Sequence, residues 1–174
     1  MNYAPVSQGV RHVVCSGDTF PIGVIGLDHG HIYAMCNGLL EAGAKLVSVY
    51  DPDPEKVKAF QKQYPQVNVA VSEKEILENK EIRLIASAIR PDLRCSLGIR
   101  VMEHGKDYFA DKPGMLSMEE IDAARKTCKR TGMKYMIYFG ERVHVEGAVF
   151  AQQLIEQGEI GPVSYTHLRA HETL

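Results

Sequence analysis

A doubly wound α/β domain built on a parallel sheet is the fold class this sequence predicts, and three observations predict it. Short apolar runs alternate about six times with segments of helical periodicity. The runs are apolar throughout instead of alternating in and out, as strands covered on both faces must be. Glycines, prolines and capping residues fall between the two kinds of segment.

Residues 21–27 (PIGVIGL) read as a buried strand. Residues 31–42 read as a helix with Ile32, Met35, Cys36, Leu39 and Leu40 on one face, stopped by Gly43. Residues 45–51 (KLVSVYD) form the second strand. The next helix starts near Pro54, whose fixed φ suits a first turn, and carries Val57 and Phe60 inward. Residues 67–72 (VNVAVS) give a third strand, and Ser72 with Glu75 makes a capping box for a short helix over 73–79. An apolar strand follows at 82–88 (IRLIASA). A helix spans 91–104 and ends at Gly105, and 107–110 (DYFA) is the fifth strand. Ser117 with Glu120 caps a helix that ends at Gly132, 134–139 (KYMIYF) is the sixth strand, and a helix over about 145–157 ends at Gly158. There is no internal repeat and no low-complexity linker.

At 174 residues, 45% hydrophobic and 24% charged, the chain has the material for one packed core, and a soluble globular protein is expected. Twenty basic and 22 acidic residues leave a net charge of -2, which gives no electrostatic footprint for nucleic acid or an anionic membrane. Cys15, Cys36, Cys95 and Cys128 are scattered without a C-x-x-C pair, so buried, reduced thiols are expected and not a zinc ribbon or disulfide scaffold. Residues 1–16 lack a continuous apolar signal core, and no run reaches the length of a membrane span, so the expected location is cytoplasmic.

Residues 24–33 (VIGLDHGHIY) have the layout of a dinucleotide-binding loop with an odd member. Gly26 fits the first glycine, Asp28 takes the place of the second, His31 that of the third, and Gly30 supplies a flexible turn one residue early. A carboxylate beside a diphosphate is repelled. Asp28 is therefore expected to point away, to cap the following helix, or to bind something other than phosphate, and capping is its ordinary role there. His29 and His31 flank Gly30 and invite a metal ion with Asp28. The sequence offers no further ligand cluster near them, so no metal is predicted. Asp51 lies about 25 residues after Gly26, where a carboxylate bonds the adenosine ribose and disfavours a 2′-phosphate, which favours NAD over NADP. A turn-forming aspartate in DPDP is the alternative for Asp51.

Residues 108–120 (YFADKPGMLSMEE) resemble the Gfo/Idh/MocA oxidoreductases, whose Rossmann domain carries Glu-Lys-Pro after the fifth strand. Here the motif is Asp111-Lys112-Pro113. The agreement runs in order through IGVIGLDHGH, VYDPDPEKV, HGKDYFADKP, ARKTCKRTG and QLIEQGEIGPV, nearly all of 21–162. The resemblance implies hydride transfer between a nicotinamide cofactor and a sugar- or cyclitol-like alcohol or ketone. By position, Lys112 bonds the reacting oxygen and Pro113 holds the turn, while Asp111 shortens the family's glutamate. The cofactor set is then Gly26, Asp28, His29, Gly30, His31, Asp51, Ala88, Asp111 and Pro113. Residues 88–92 match the family's cofactor-lining turn only in part. Arg142 resembles an arginine that meets substrate, a solvated helix-start arginine being the equal alternative, and His144 is a weaker candidate.

The expected organisation is a leader over 1–20, the dinucleotide domain over 21–140, and a connection over 141–162 toward a second α/β domain. By the same resemblance, that second domain forms most of the substrate wall and the homo-oligomer interface. Residues 163–173 (VSYTHLRAHET) look like a translated sequencing adapter, so 163–174 is expected to be artefactual and His167, Arg169 and His171 to have no role. The last helix is expected to expose an apolar surface. A non-catalytic relative that holds the nucleotide as a regulatory ligand is the alternative, favoured by Asp28 and the altered 88–92 turn.

Overall fold

The structure, a computed structural model, describes residues 13–140 and 145–159. The chain divides after Tyr138 into two compact units. In the first, six strands form one sheet: β1 (Pro21–Ile25), β2 (Lys45–Tyr50), β3 (Asn68–Val69), β4 (Leu84–Ser87), β5 (Asp107–Asp111) and β6 (Tyr135–Tyr138). Their order is β3-β2-β1-β4-β5-β6, and every neighbouring pair is parallel. The order reverses between β1 and β4, which opens a crevice at the carboxyl ends of those strands.

The apolar strand runs follow from burial on both faces. On one face Ile22, Val24, Leu46, Val49, Leu84 and Ala86 pack against helices α1 (His31–Glu41) and α2 (Pro54–Gln63) through Ile32, Met35, Cys36, Val57 and Phe60. On the other, Ile25, Ile85, Tyr108 and Ala110 pack against α3 (Glu73–Glu78) and α4 (Pro91–Glu103) through Ile76, Leu77, Leu97 and Val101. Helix α5 (Met118–Thr131) lies beside α4. Ser72 and Ser117 cap α3 and α5 by accepting the N–H of Glu75 and Glu120, as the sequence predicts, and Asp53 caps α2 through Glu55. Gly132 closes α5 with φ 75°.

The third strand differs from its expected length. Of residues 67–72 only Asn68 and Val69 pair, with Ser48 and Val49 of β2. It is an edge strand with both paired residues exposed, and Val67 and Ala70 on either side turn into the core instead of continuing the ladder. The thiols also divide. Cys36 and Cys95 are buried, Cys15 and Cys128 are half-buried, and all four are free. Burial pushes the Cys36 thiol up to about 12, so it stays protonated at neutral pH.

Gly98 marks the tightest helix–sheet approach. A Cβ there would lie 2.4 Å from Tyr135 and 2.5 Å from Tyr108, both ring atoms of packed aromatics. Gly98→Ala is expected to cost about 1–3 kcal/mol by overpacking, read as a lower urea midpoint with an unchanged slope.

The second unit contains α6 (Glu146–Glu156), on which Phe150 and Ile155 are exposed, as expected for an apolar surface on the last helix. No helix among the described residues is long and apolar enough to cross a membrane.

Candidate functional site

The crevice floor is set by the residue after β1. Gly26 has φ 86°, donates its N–H to Tyr50 O and accepts from Ala88 N. A Cβ on Gly26 would lie 2.6 Å from Ile89 Cβ, so neither the backbone conformation nor the neighbouring β4 loop admits a side chain. Ala88 is fully buried beneath this contact. Asp51, just past β2, accepts the Leu27 N–H at 2.7 Å and the Asp53 N–H at 2.9 Å. The turn reading of Asp51 is realised in these bonds, and the same side chain braces the Gly26 loop.

Helix α1 starts at Gly30 with no capping side chain and no acid in its first turn. A Cβ on Gly30 would meet nothing, and its φ of -63° is one any residue adopts. The His31 N–H is met by the His29 ring at 3.2 Å and the next two N–H groups by backbone carbonyls, but no acid offsets the helix dipole, so the positive end of α1 still suits an anion.

Asp28 is not the cap, which corrects the ordinary expectation for it. Its Oδ1 accepts from Lys56 Nζ at 2.5 Å and its Oδ2 from Arg90 N at 2.9 Å, so the side chain ties the β1–α1 loop to the first turn of α2 and to the loop after β4. Burial raises this carboxyl, but the Lys56 hydrogen bond and the Arg90 N–H outweigh it and hold Asp28 below the usual carboxylate value. The folded value lies below the unfolded one, so the contribution is present at neutral pH and is lost as acid protonates the folded carboxyl. Asp28→Asn is expected to cost less than about 1 kcal/mol at neutral pH, with the difference from the parent vanishing in strong acid. Urea midpoints at the two pH values measure it.

Across the crevice, Asp111 ends β5 and is 2% exposed. Its Oδ1 lies 2.8 Å from His31 Nδ1 and accepts the Lys112 N–H at 2.8 Å. Its Oδ2 accepts from Arg94 Nη2 at 3.2 Å and lies 3.5 Å from His29 Nδ1. Arg94 is 3% exposed and spends its other N–H groups on Ile89 O at 2.7 Å and Pro113 O at 3.0 Å. One buried guanidinium therefore clamps the β4 loop, the β5 carboxylate and the Lys112–Pro113 turn. Lys112 is half-buried at the strand end. The His31 ring stands edge-on to Tyr138, with centroids 5.9 Å apart.

The structure thus gathers His29, His31, Asp111, Lys112 and Pro113 on the β5 side, and Asp28 and Asp51 on the β2 side. Gly26, Gly30 and Ala88 lie between them. Arg142 and His144 lie outside the described residues. Sequence reasoning missed Arg94 and Lys56, whose roles depend on partners 17 and 28 residues away. A cavity of about 770 Å³ lined by Lys80, Arg83, Lys106 and Lys134 opens at the amino ends of β4, β5 and β6, away from this crevice.

A family model described as an oxidoreductase family with an NAD-binding Rossmann fold, GFO_IDH_MocA, matches residues 20–139. The chain belongs to the Gfo/Idh/MocA family. Among curated relatives, scyllo-inositol 2-dehydrogenase (NAD(+)) of Bacillus subtilis (strain 168) is 32% identical over 124 residues, 71% of this chain and 36% of the relative. The 2,7-anhydro-N-acetylneuraminate hydratase of Mediterraneibacter gnavus is 27% identical over 128 residues, 73% of this chain and 33% of the relative. A crystal structure from Erwinia carotovora atroseptica SCRI1043 superposes with TM-score 0.79 at 39% identity, covering 83% of this chain and 43% of that one. The Gfo/Idh/MocA chain described here spans about a third of the length of these curated relatives. In this member of the family the motif's first residue, Asp111, is the hub of a buried charge network.

Proposed function

We propose that this chain is the nucleotide-binding domain of an NAD-dependent oxidoreductase acting on a sugar- or cyclitol-like alcohol or the matching ketone. The observation that carries the reading is the acid-free start of α1 over the β1/β4 reversal, with Asp51 on one side and Lys112 on the other. The fit to a dinucleotide rests on Gly26, which admits no side chain, and on the open space over Gly30.

The nicotinamide, when bound, takes up or returns the hydride. The chain's residues do the rest. Gly26, His29, Gly30 and His31 receive the diphosphate at the helix start, and Asp51 accepts from the ribose hydroxyls with lone pairs left by its two backbone bonds. Lys112 places an ammonium at the reacting oxygen, where it stabilises a developing alkoxide and passes the proton. Asp111, Arg94 and Pro113 hold Lys112 in place. A 2′-phosphate on that ribose would face the Asp51 carboxylate, and the nearby Lys56 is already committed to Asp28. NAD is therefore preferred over NADP. The carbohydrate or cyclitol class of substrate is supported by the names of the two curated relatives.

NADH and NADPH titrations followed by cofactor fluorescence test the reading. NADH is expected to bind at least about tenfold more tightly, a difference of about 1.4 kcal/mol. Failure of both nucleotides to bind would falsify it. The Asp28 bridge to α2 and the loop after β4 supports a second reading, a relative that holds the nucleotide without turnover. Absence of NADH formation on adding polyols to the full-length gene product, while it binds NAD, would favour that one.

A further inference from the structure

We propose that His29, His31 and Asp111 form a binding site for one divalent transition-metal ion of the zinc class. The fold brings together what the sequence keeps apart: one ligand atom from each of the three residues, all within 4.8 Å of one another. Neutral imidazole nitrogens with a single carboxylate suit zinc, cobalt or iron(II) and disfavour magnesium and calcium, which take oxygen ligands.

The distances are close to those an ion requires. Metal bonds of about 2.0–2.2 Å in a tetrahedral arrangement set neighbouring ligand atoms about 3.3–3.5 Å apart. His29 Nδ1 and Asp111 Oδ2 are 3.5 Å apart. His31 Nδ1 forms a hydrogen bond at 2.8 Å with the other oxygen, Oδ1, so a small turn of the carboxylate brings one oxygen to the ion between both rings. On binding, the shared proton leaves to solvent and the pair opens by about 0.5 Å to admit the ion. His29 Nδ1 accepts the His31 N–H at 3.2 Å with its one lone pair, and this bond is exchanged for the metal bond when the ion enters.

The shell around the ligands is built. Asp111 is fixed by Arg94 and the Lys112 N–H, and His31 by its place in the first turn of α1 and by Tyr138. His29, with its side chain 54% exposed, leaves a path from solvent. Arg94 offsets the charge of Asp111, which makes the site weaker than a closed four-ligand zinc centre. Three protein ligands leave a coordination position open for water or a substrate oxygen in the crevice that holds Lys112.

The test uses the full chain, free of affinity tags and stripped with chelator, titrated with Co²⁺ and followed by its visible absorption. One ion per chain is expected to bind, to be displaced by Zn²⁺ and to be untouched by Mg²⁺. His29→Ala, at an exposed ring, and His31→Ala are each expected to weaken binding at least tenfold, and Zn²⁺ is expected to shift the ring resonances of both histidines in the parent protein. Absent binding, binding indifferent to His29→Ala, or unmoved ring resonances overturns the site. An NADH titration of the same stripped protein reports separately on the nucleotide reading, so either proposal can fail alone.

Discussion

Arg94→Leu is expected to destabilise the domain by about 3–5 kcal/mol, the cost of leaving a buried charge without its partner. Leucine keeps apolar volume but strands Asp111, which is 2% exposed, and removes the donors that Ile89 O and Pro113 O now accept from. Set against a total stability of about 5–15 kcal/mol, the loss decides whether the domain is folded at physiological temperature. Arg94→Lys rescues little, because one ammonium cannot span the three acceptors that the planar fork reaches. Combining Arg94→Leu with Asp111→Leu is expected to recover part of the loss by removing the stranded charge along with its partner. Urea unfolding of the three variants measures each term, and a single-mutant cost below about 1 kcal/mol would show that the clamp is not structural.

The elements were legible because their signals are local. Apolar runs gave the strands, and Ser72 and Ser117 announced helices through bonds made within three residues. The third strand was overcalled because VNVAVS has strand composition, whereas its length depends on how much of β2 is there to pair. At the site the local rules were overridden. Asp28 has the identity and position of a helix cap, but Lys56 and the Arg90 N–H, 28 and 62 residues away, compete for the same oxygens and win. Asp111 and His31 are 80 residues apart, and nothing in either neighbourhood reports the other. Arg94 sits among helical residues in PDLRC, where an arginine reads as solvated. Only the stacking of β4 and β5 against α4 makes it the most occupied donor in the crevice.

Pairing also resolves how an acidic residue is tolerated in a phosphate loop. An unpaired carboxylate 5 Å from a phosphate charge would repel it by about 3 kcal/mol at an effective dielectric of 20, enough to cost about a hundredfold in affinity. Asp28 meets Lys56 and Asp111 meets Arg94, so these two acids each carry a cation, and Asp51 is held by two backbone N–H groups. What remains to face an entering anion is the acid-free start of α1 and two imidazoles.

Lys112→Ala is expected to lower kcat by about 10²–10⁴-fold with nucleotide affinity changed less than about twofold, the signature of a group that acts on the reacting oxygen. The split follows from position. The proposed diphosphate and ribose contacts lie at α1 and β2, while Lys112 stands beyond the end of β5, and its removal leaves the buried Asp111–Arg94 pair and the Lys112 backbone N–H bond to Asp111 intact. Lys112→Arg separates the two tasks assigned to the ammonium. Arginine keeps a positive charge near a developing alkoxide but does not give up a proton at neutral pH, so activity between those of the alanine variant and the parent is expected if proton transfer carries part of the rate. NADH formation from a polyol by the full-length gene product, measured beside an NADH titration of each variant, provides both readouts. Equal kcat for Lys112→Ala and the parent would remove Lys112 from the chemistry and leave it a surface residue at a strand end.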